Sequence, residues 1–392
     1  MGKNHQADLF QSTIPAPIQN LSDQQRLDWL RLTRSRGIGP VTFRDLINYF
    51  GSAGQAIEQL NGRQFNKRRF QIASEQEALD ELEKVDKFGA HLVALNEPGY
   101  PRWLQSVDDA PPLLYAKGNL ALTHQPALAI VGSRNASAAG LKFTSQLSQE
   151  IGSAGLVITS GLARGIDTSA HQASLQTGTI AVLGGGIDHI YPAQNEALYH
   201  QIGQNGLLIS ERTMGFRPQA KDFPRRNRLI SGISLGSLVV EAAIRSGSLI
   251  TARFAGEQGR HVFAVPGHPL DPRAAGTNKL IQDGAQLICK TQDILEALKT
   301  QIDNDNLANT SNQPTKNSRT EQPQNNLGFY ETNENAKDLR LNLLDLLGPT
   351  PIERDSLVRL LKCPANELQI LLLELDLEGR LEHHGQQKVS LK

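Results

Sequence analysis

Cysteine is scarce in this chain: two residues in 392, Cys289 and Cys363, far apart and in no CxxC pair. That excludes a disulfide framework and a four-thiolate metal site, and a reducing cytoplasm is the simplest setting. Long apolar runs are missing too. The first twenty residues, MGKNHQADLFQSTIPAPIQN, lack the apolar segment of a secretory signal. No later run approaches the roughly 18 apolar residues of a membrane span, so a soluble protein without membrane contact is expected. Net charge is absent, with 40 Lys+Arg against 40 Asp+Glu, so any nucleic-acid site must be a local patch and not a global field. Catalytic constellations are thin. Histidines 171, 189, 200, 261 and 268 fall in different elements without ligand spacing, which argues against a metal site. The literal GxSxG at 232–236 ends a helix and precedes a strand, the reverse of a nucleophile elbow. Asp167 reads as an N-cap and Asp188 as a loop residue, not as an acid/base pair. No cofactor and no enzymatic activity are expected.

What is present falls into segments. Residues 1–22 are polar with two prolines and read as a flexible N-terminus. Residues 23–88 read as a helical domain, in which RGIGPVTFRDLINYFG (36–51) fits either a helix-hairpin-helix or SAM-like hairpin or a plain helix turn. From His91 the texture turns to β, with HLVAL and LLYAKG as a lead-in. Seven short apolar runs then follow: ALAIV (127–131), LVIT (156–159), TIAVL (179–183), LLIS (207–210), SLVVE (237–241), HVFAV (261–265) and QLIC (286–289). Helical spacings lie between them, such as Phe143, Leu147 and Ile151. Strands buried on both faces and separated by helices predict an α/β fold over 90–300, an extended Rossmann-like, doubly wound parallel sheet. Residues 301–336, rich in Asn, Gln, Thr and Pro, read as a flexible linker. Residues 337–392 recover core periodicity and fit a winged-helix-like module whose third helix opens at Cys363-Pro364-Ala365-Asn366. That helix carries Glu367, Glu374, Asp376 and Glu378 without Lys or Arg, which argues against groove reading.

The stretch Lys221 to Arg253, KDFPRRNRLISGISLGSLVVEAAIRSGSLITAR, organises the rest. Between Glu211 and Arg228 six basic residues (Arg212, Arg217, Lys221, Arg225, Arg226, Arg228) meet two acids, Glu211 and Asp222. A basic cluster beside an aromatic suits phosphodiester plus base, because cations neutralise phosphates while a ring face stacks on any base. The proline after Phe223 is expected to hold that residue extended, with its ring free to stack, just before a helix in which Arg225 and Arg228 share a face and Asn227 turns away. Three strand ends add phosphate-binding chemistry: Gly132-Ser133-Arg134, then Ser160-Gly161 with Arg164-Gly165, then Ala242 to Thr251, with Ser248, Thr251 and the following Arg253 as candidate contacts. Small residues admit the anion, the next helix offers N–H donors, and arginines grip it.

These stretches resemble the DprA/Smf family. The resemblance is carried in order by VGSR (131–134), SGLARGIDTSAH (160–171), LGGGIDHIYPAQN (183–195), FPRRNRLISGIS with LVVEAAIRSGSLITARFAGEQGR, and FAVPGHPLDPRAAGTNKLIQDGA. It implies a non-enzymatic, sequence-tolerant single-stranded DNA binder of natural transformation. By the same resemblance the protein protects incoming strands, forms a homodimer and loads the RecA recombinase. It matches Arg134 to the arginine of VGSR, and Lys221, Phe223 and the arginines of the RNR run to the single-strand groove. A rival is a nucleoside-monophosphate phosphoribohydrolase of the lysine-decarboxylase-like type. Its GGxGTxxE turn needs a Glu where Thr251 stands, which removes the acid/base group. A nicotinamide oxidoreductase fails because VGSRNASAAG lacks two glycines of GxGxxG.

Overall fold

The computed structural model describes residues 20–60, 64–65, 68–310 and, beyond those, 343, 347, 352–353, 357, 360–361, 368, 371–372, 375, 381–384 and 388–391. The expected flexible N-terminus through residue 19, the rest of the expected linker after 310 and the expected opening of a third C-terminal helix at 363–366 lie outside the described residues. The chain divides into two units, Met1–Pro314 and Thr315–Lys392.

The first unit opens with α1 (Asp23–Arg34), α2 (Pro40–Phe50), α3 (Ala53–Leu60), a short hairpin of β1 (Gln64–Phe65) and β2 (Arg68–Arg69), and α4 (Glu75–Lys87). Capping boxes start α1 and α4, where Ser22 pairs with Gln25 and Ser74 with Glu77. Leu32, Ile38, Phe43, Leu46 and Ile57 make a small core here. Leu27 and Leu30 turn instead to Leu92, Tyr115 and Leu208 of the sheet. Arg26 pairs with the buried Glu97 just after β3, and Arg34 donates to the Tyr115 hydroxyl, so the helical segment and the sheet form one compact unit.

The sheet comprises β3 (His91–Ala94), β4 (Leu113–Gly118), β5 (Ala127–Gly132), β6 (Val157–Ser160), β7 (Thr179–Val182), β8 (Leu207–Ser210), β9 (Gly236–Val240), β10 (His261–Ala264) and β11 (Gln286–Leu287). Its order is β11-β10-β9-β5-β6-β7-β8-β4-β3. Pairing from β11 to β8 is parallel, and the lead-in strands β4 and β3 extend it antiparallel. The crossing elements are α5 (Ala138–Ser153), α6 (Ile166–Ser174), α7 (Glu196–Asn205), α8 (Asp222–Ile233), α9 (Ser248–Glu257), α10 (Ala275–Gln282) and α11 (Thr291–Thr310). Alternation along β5 shows why the run is wholly apolar. Ala127, Ala129 and Val131 pack in the layer of Leu229, Ile230 and Ala252, while Leu128 and Ile130 face Leu147, Ile151 and Leu298.

Two local expectations are corrected. Helix α8 begins at Asp222, so Phe223 lies in its first turn and is not extended, because a proline in that turn forfeits no intrahelical donor. Helix α11 runs through the start of the expected linker to Thr310: no Gly or Pro intervenes before Pro314, and Ile302 still packs on the core.

The second unit holds β12 (Ile352–Glu353), β13 (Leu381–His384) and β14 (Lys388–Leu391) in the antiparallel order β12-β14-β13. Val389 joins buried Leu343, Leu347, Leu357, Leu368, Leu371, Leu372 and Leu375 in one core. The i, i+4, i+7 spacing of Leu368, Leu372 and Leu375 is that of a helix face.

Candidate nucleic-acid interface

The order in which strands are added reverses between the parallel neighbours β5 and β9, since β6, β7 and β8 fill one side and β10 and β11 the other. A cleft must open where the crossovers part, beyond the strands' carboxyl ends. Two adjoining hollows occupy that place, of about 430 and 770 Å3, and both are lined by Arg134, Ala163, Tyr191, Pro218, Phe223 and Arg226.

Phe223 is the ridge between them. It is half-buried, and its ring lies over Gly184, where an added Cβ would sit 3.0 Å from the ring. Tyr191 flanks it with ring centroids 5.1 Å apart and planes inclined by 39°. The Arg134 guanidinium is 5.8 Å from the Phe223 centroid, within cation–π range. Arg134 and Arg164 are exposed, as is Arg245 on the far wall, and among the described residues none of the three carries an ion pair. The combination offers flat apolar faces beside uncompensated positive charge.

Beneath the ridge Arg226 is buried. Its guanidinium donates to the carbonyls of Gly161, at 2.8 Å, and Val182, which ties the ends of β6 and β7 to α8. Residue 161 is glycine for this reason: a Cβ there would stand 2.7 Å from the guanidinium. Burial pushes Arg226 down to about 10, against the opposing pull of Asp167. The Asp167 carboxyl is pushed up by burial, opposed by Arg226 and by N–H donation from Ala163 and Gly161. Asp167 therefore ties down the β6–α6 turn, and Gly165 takes the N-cap position expected for it.

Of the residues singled out in the sequence, the cleft gathers Gly132, Ser133, Arg134, Gly161, Arg164, Phe223, Arg226, Asn227, Ser248 and Thr251. The others lie elsewhere. Ser160 is buried and donates to Ile130. Lys221 is the exposed residue before α8. Arg225 and Arg228 do share a face, but it looks at Glu211: Arg225 pairs with that carboxylate at 3.1 Å, and buried Arg228 pairs with it and with Asp109. Asn227, on a face of α8 turned away from those two arginines, lines the larger hollow and donates to Gly247. Arg253 lies on another face of α9 and pairs with Glu257. Only some of the expected helix-start anion sites are open. The N-terminus of α5 is closed by Ser137 and Glu241, and Asp167 fills the turn before α6. Sequence reasoning missed Tyr191 and His189, and it covered Arg245 only within the strand end Ala242 to Thr251, without singling it out. Tyr191 had a signal, an aromatic–proline pair inside LGGGIDHIYPAQN.

Residues 91–299 match the family model described as DNA recombination-mediator protein A. Residues 23–83 match a DprA-like N-terminal HHH domain, which selects the helix-hairpin-helix of the two readings left open, and residues 330–387 match a DprA winged helix domain. The chain is 46% identical over 213 residues to DNA processing protein DprA of Bacillus subtilis, a match covering 54% of this chain and 72% of that protein. The X-ray structure of DprA from Streptococcus pneumoniae aligns with a TM-score of 0.55 and 37% identity, over 70% of this chain and 91% of that one. The structure of DNA processing protein A from Helicobacter pylori, described for its single-stranded DNA binding mode, aligns with a TM-score of 0.50 and 31% identity, over 54% and 96% of the two chains. This chain belongs to the DNA recombination-mediator protein A family, the DprA/Smf proteins.

Proposed function

We infer that this protein binds single-stranded DNA, with little preference for sequence, in the cleft between the β5, β6, β7 and β9 ends. The observation that carries the reading is Arg134 beside the Phe223 ring, with Tyr191 on the same ridge. A guanidinium takes the phosphate and a ring face takes the base, and every base has such a face. Unpaired bases reach the rings, whereas a duplex keeps its bases stacked inside. Arg164 and Arg245 extend the positive lining on either side of the ridge. The relatives' names support the same ligand.

The role we propose is that of a recombination mediator in natural transformation. It protects incoming single strands, works as a cytoplasmic homodimer and loads the RecA recombinase. It acts by binding and not by catalysis. The carboxylate a phosphoribohydrolase would need is replaced by Thr251, and Glu241 is committed to capping α5. Titration of a labelled oligonucleotide, single-stranded against duplex, tests the reading. Preferential single-strand binding that weakens in Arg134→Ala supports it. Affinity for neither form, with free base released from nucleoside monophosphates, would replace it with the hydrolase.

A further inference from the structure

The larger hollow has a polar half that the aromatic ridge does not account for. It lies between the β5 loop and α9 and is lined by Asn135, Arg245, Ser246, Gly247, Ser248 and Thr251. Glu241 caps α5 and Asp167 holds the turn before α6, whereas the first turn of α9 contains no acid and is capped only by Ser246, whose hydroxyl accepts from the Ser248 N–H at 3.3 Å. Thr251 supplies an independent observation: it is 1% exposed, it lines the hollow, and its hydroxyl makes no hydrogen bond. A threonine inside a helix ordinarily returns its hydroxyl to a carbonyl one turn back. Two unpaired guanidiniums, Arg134 and Arg245, line the same hollow.

We propose that this half is a subsite for a phosphomonoester on a nucleoside, the chemistry shared by the 5′ end of a strand and a free nucleoside monophosphate. The strand-end form rests on the single-strand reading above. An internal phosphodiester carries one charge and two free oxygens. A monoester carries about −1.5 to −2 charges and three acceptor oxygens, which suits two guanidiniums and the hydroxyls of Thr251 and the Ser246–Ser248 pair. With the monoester seated there, its base reaches the Phe223–Tyr191 ridge on the hollow's other wall.

The test uses the full-length protein and a short dT oligonucleotide carrying either a 5′-phosphate or a 5′-hydroxyl, with thymidine 5′-monophosphate as a separate ligand. The phosphorylated oligonucleotide should bind at least about tenfold more tightly, the scale of added charge-assisted hydrogen bonds. That ratio should collapse toward one in Thr251→Val, which preserves shape, and in Arg245→Gln, which alters an exposed side chain. Equal affinity of the two oligonucleotides, or a ratio that survives both substitutions, overturns the proposal. Displacement of the phosphorylated strand by the monophosphate identifies the free nucleotide as a ligand as well, and a ratio without displacement identifies the strand end alone. If neither oligonucleotide binds, the single-strand reading fails. The subsite then stands on monophosphate binding that is lost in Thr251→Val, and falls without it.

Discussion

Arg134 and Arg228 are chemically the same residue in opposite situations. Arg134 stands exposed and unpaired beside an aromatic ring, while Arg228 is buried between Glu211 and Asp109. Free charge attracts phosphate; compensated charge holds the fold. Substituting Glu211→Ala should therefore lower stability by about 1–3 kcal/mol, because it removes one of the two carboxylates that hold a buried guanidinium and leaves Asp109 as the other, and the urea unfolding midpoint will read it. Phe223→Ala should leave that midpoint nearly unchanged and weaken single-strand binding by about 1–3 kcal/mol, measured by fluorescence titration. The basic cluster itself was legible from Arg225 to Arg228. Which arginines face the cleft was not, because the answer depends on Asp109, distant in sequence, and on where β8 places Glu211.

Among the elements, α8 does most to shape the site. Its Arg226 clamps the ends of β6 and β7, so Gly161→Ala, which puts a methyl against that guanidinium, should destabilise by about 1–3 kcal/mol in thermal or urea unfolding. His171 on α6 is wholly buried; its Nδ1 meets Thr179, whose hydroxyl already donates to Ile158, so Nδ1 carries the proton and Nε2 has no partner. Burial, with Arg226 adding repulsion, holds His171 down to about 3 from its ordinary 6.5. Below the unfolded value the unfolded chain takes up a proton that the fold refuses. This contribution is thus fully present above pH 6.5 and lost as pH falls toward 3, with a slope approaching about 1.4 kcal/mol per pH unit. Urea midpoints between pH 5 and 7 should drop with acid in the wild type and flatten in His171→Gln. The strands were readable because strands covered on both faces are apolar throughout. The first turn of α8 was misread because a proline that breaks a helix interior is welcome at its start, and the tail of α11 because composition resembled a linker while Ile302 still found the core.

At the scale of the molecule, zero net charge coexists with a positive cleft because ion pairs such as Arg26–Glu97 and Arg34–Glu81 cancel one charge of each sign, so the unpaired arginines of the cleft are balanced by carboxylates spread outside it. The doubly wound parallel sheet followed from seven spaced apolar runs, whereas the place where its strand order switches, between β5 and β9, depends on long-range pairing. That Tyr191 and Arg245 share one cleft with Phe223 became visible only when loops distant in sequence met over the strand ends. The account predicts affinity that is local and phosphate-driven. The most direct test is the salt dependence of single-stranded DNA affinity for wild type and Arg134→Ala. Each phosphate contact contributes about 0.7 to the slope of log affinity against log salt, so the variant should bind more weakly at low salt with a slope shallower by about that amount. Unchanged affinity and unchanged slope in Arg134→Ala would contradict the cleft as the DNA site.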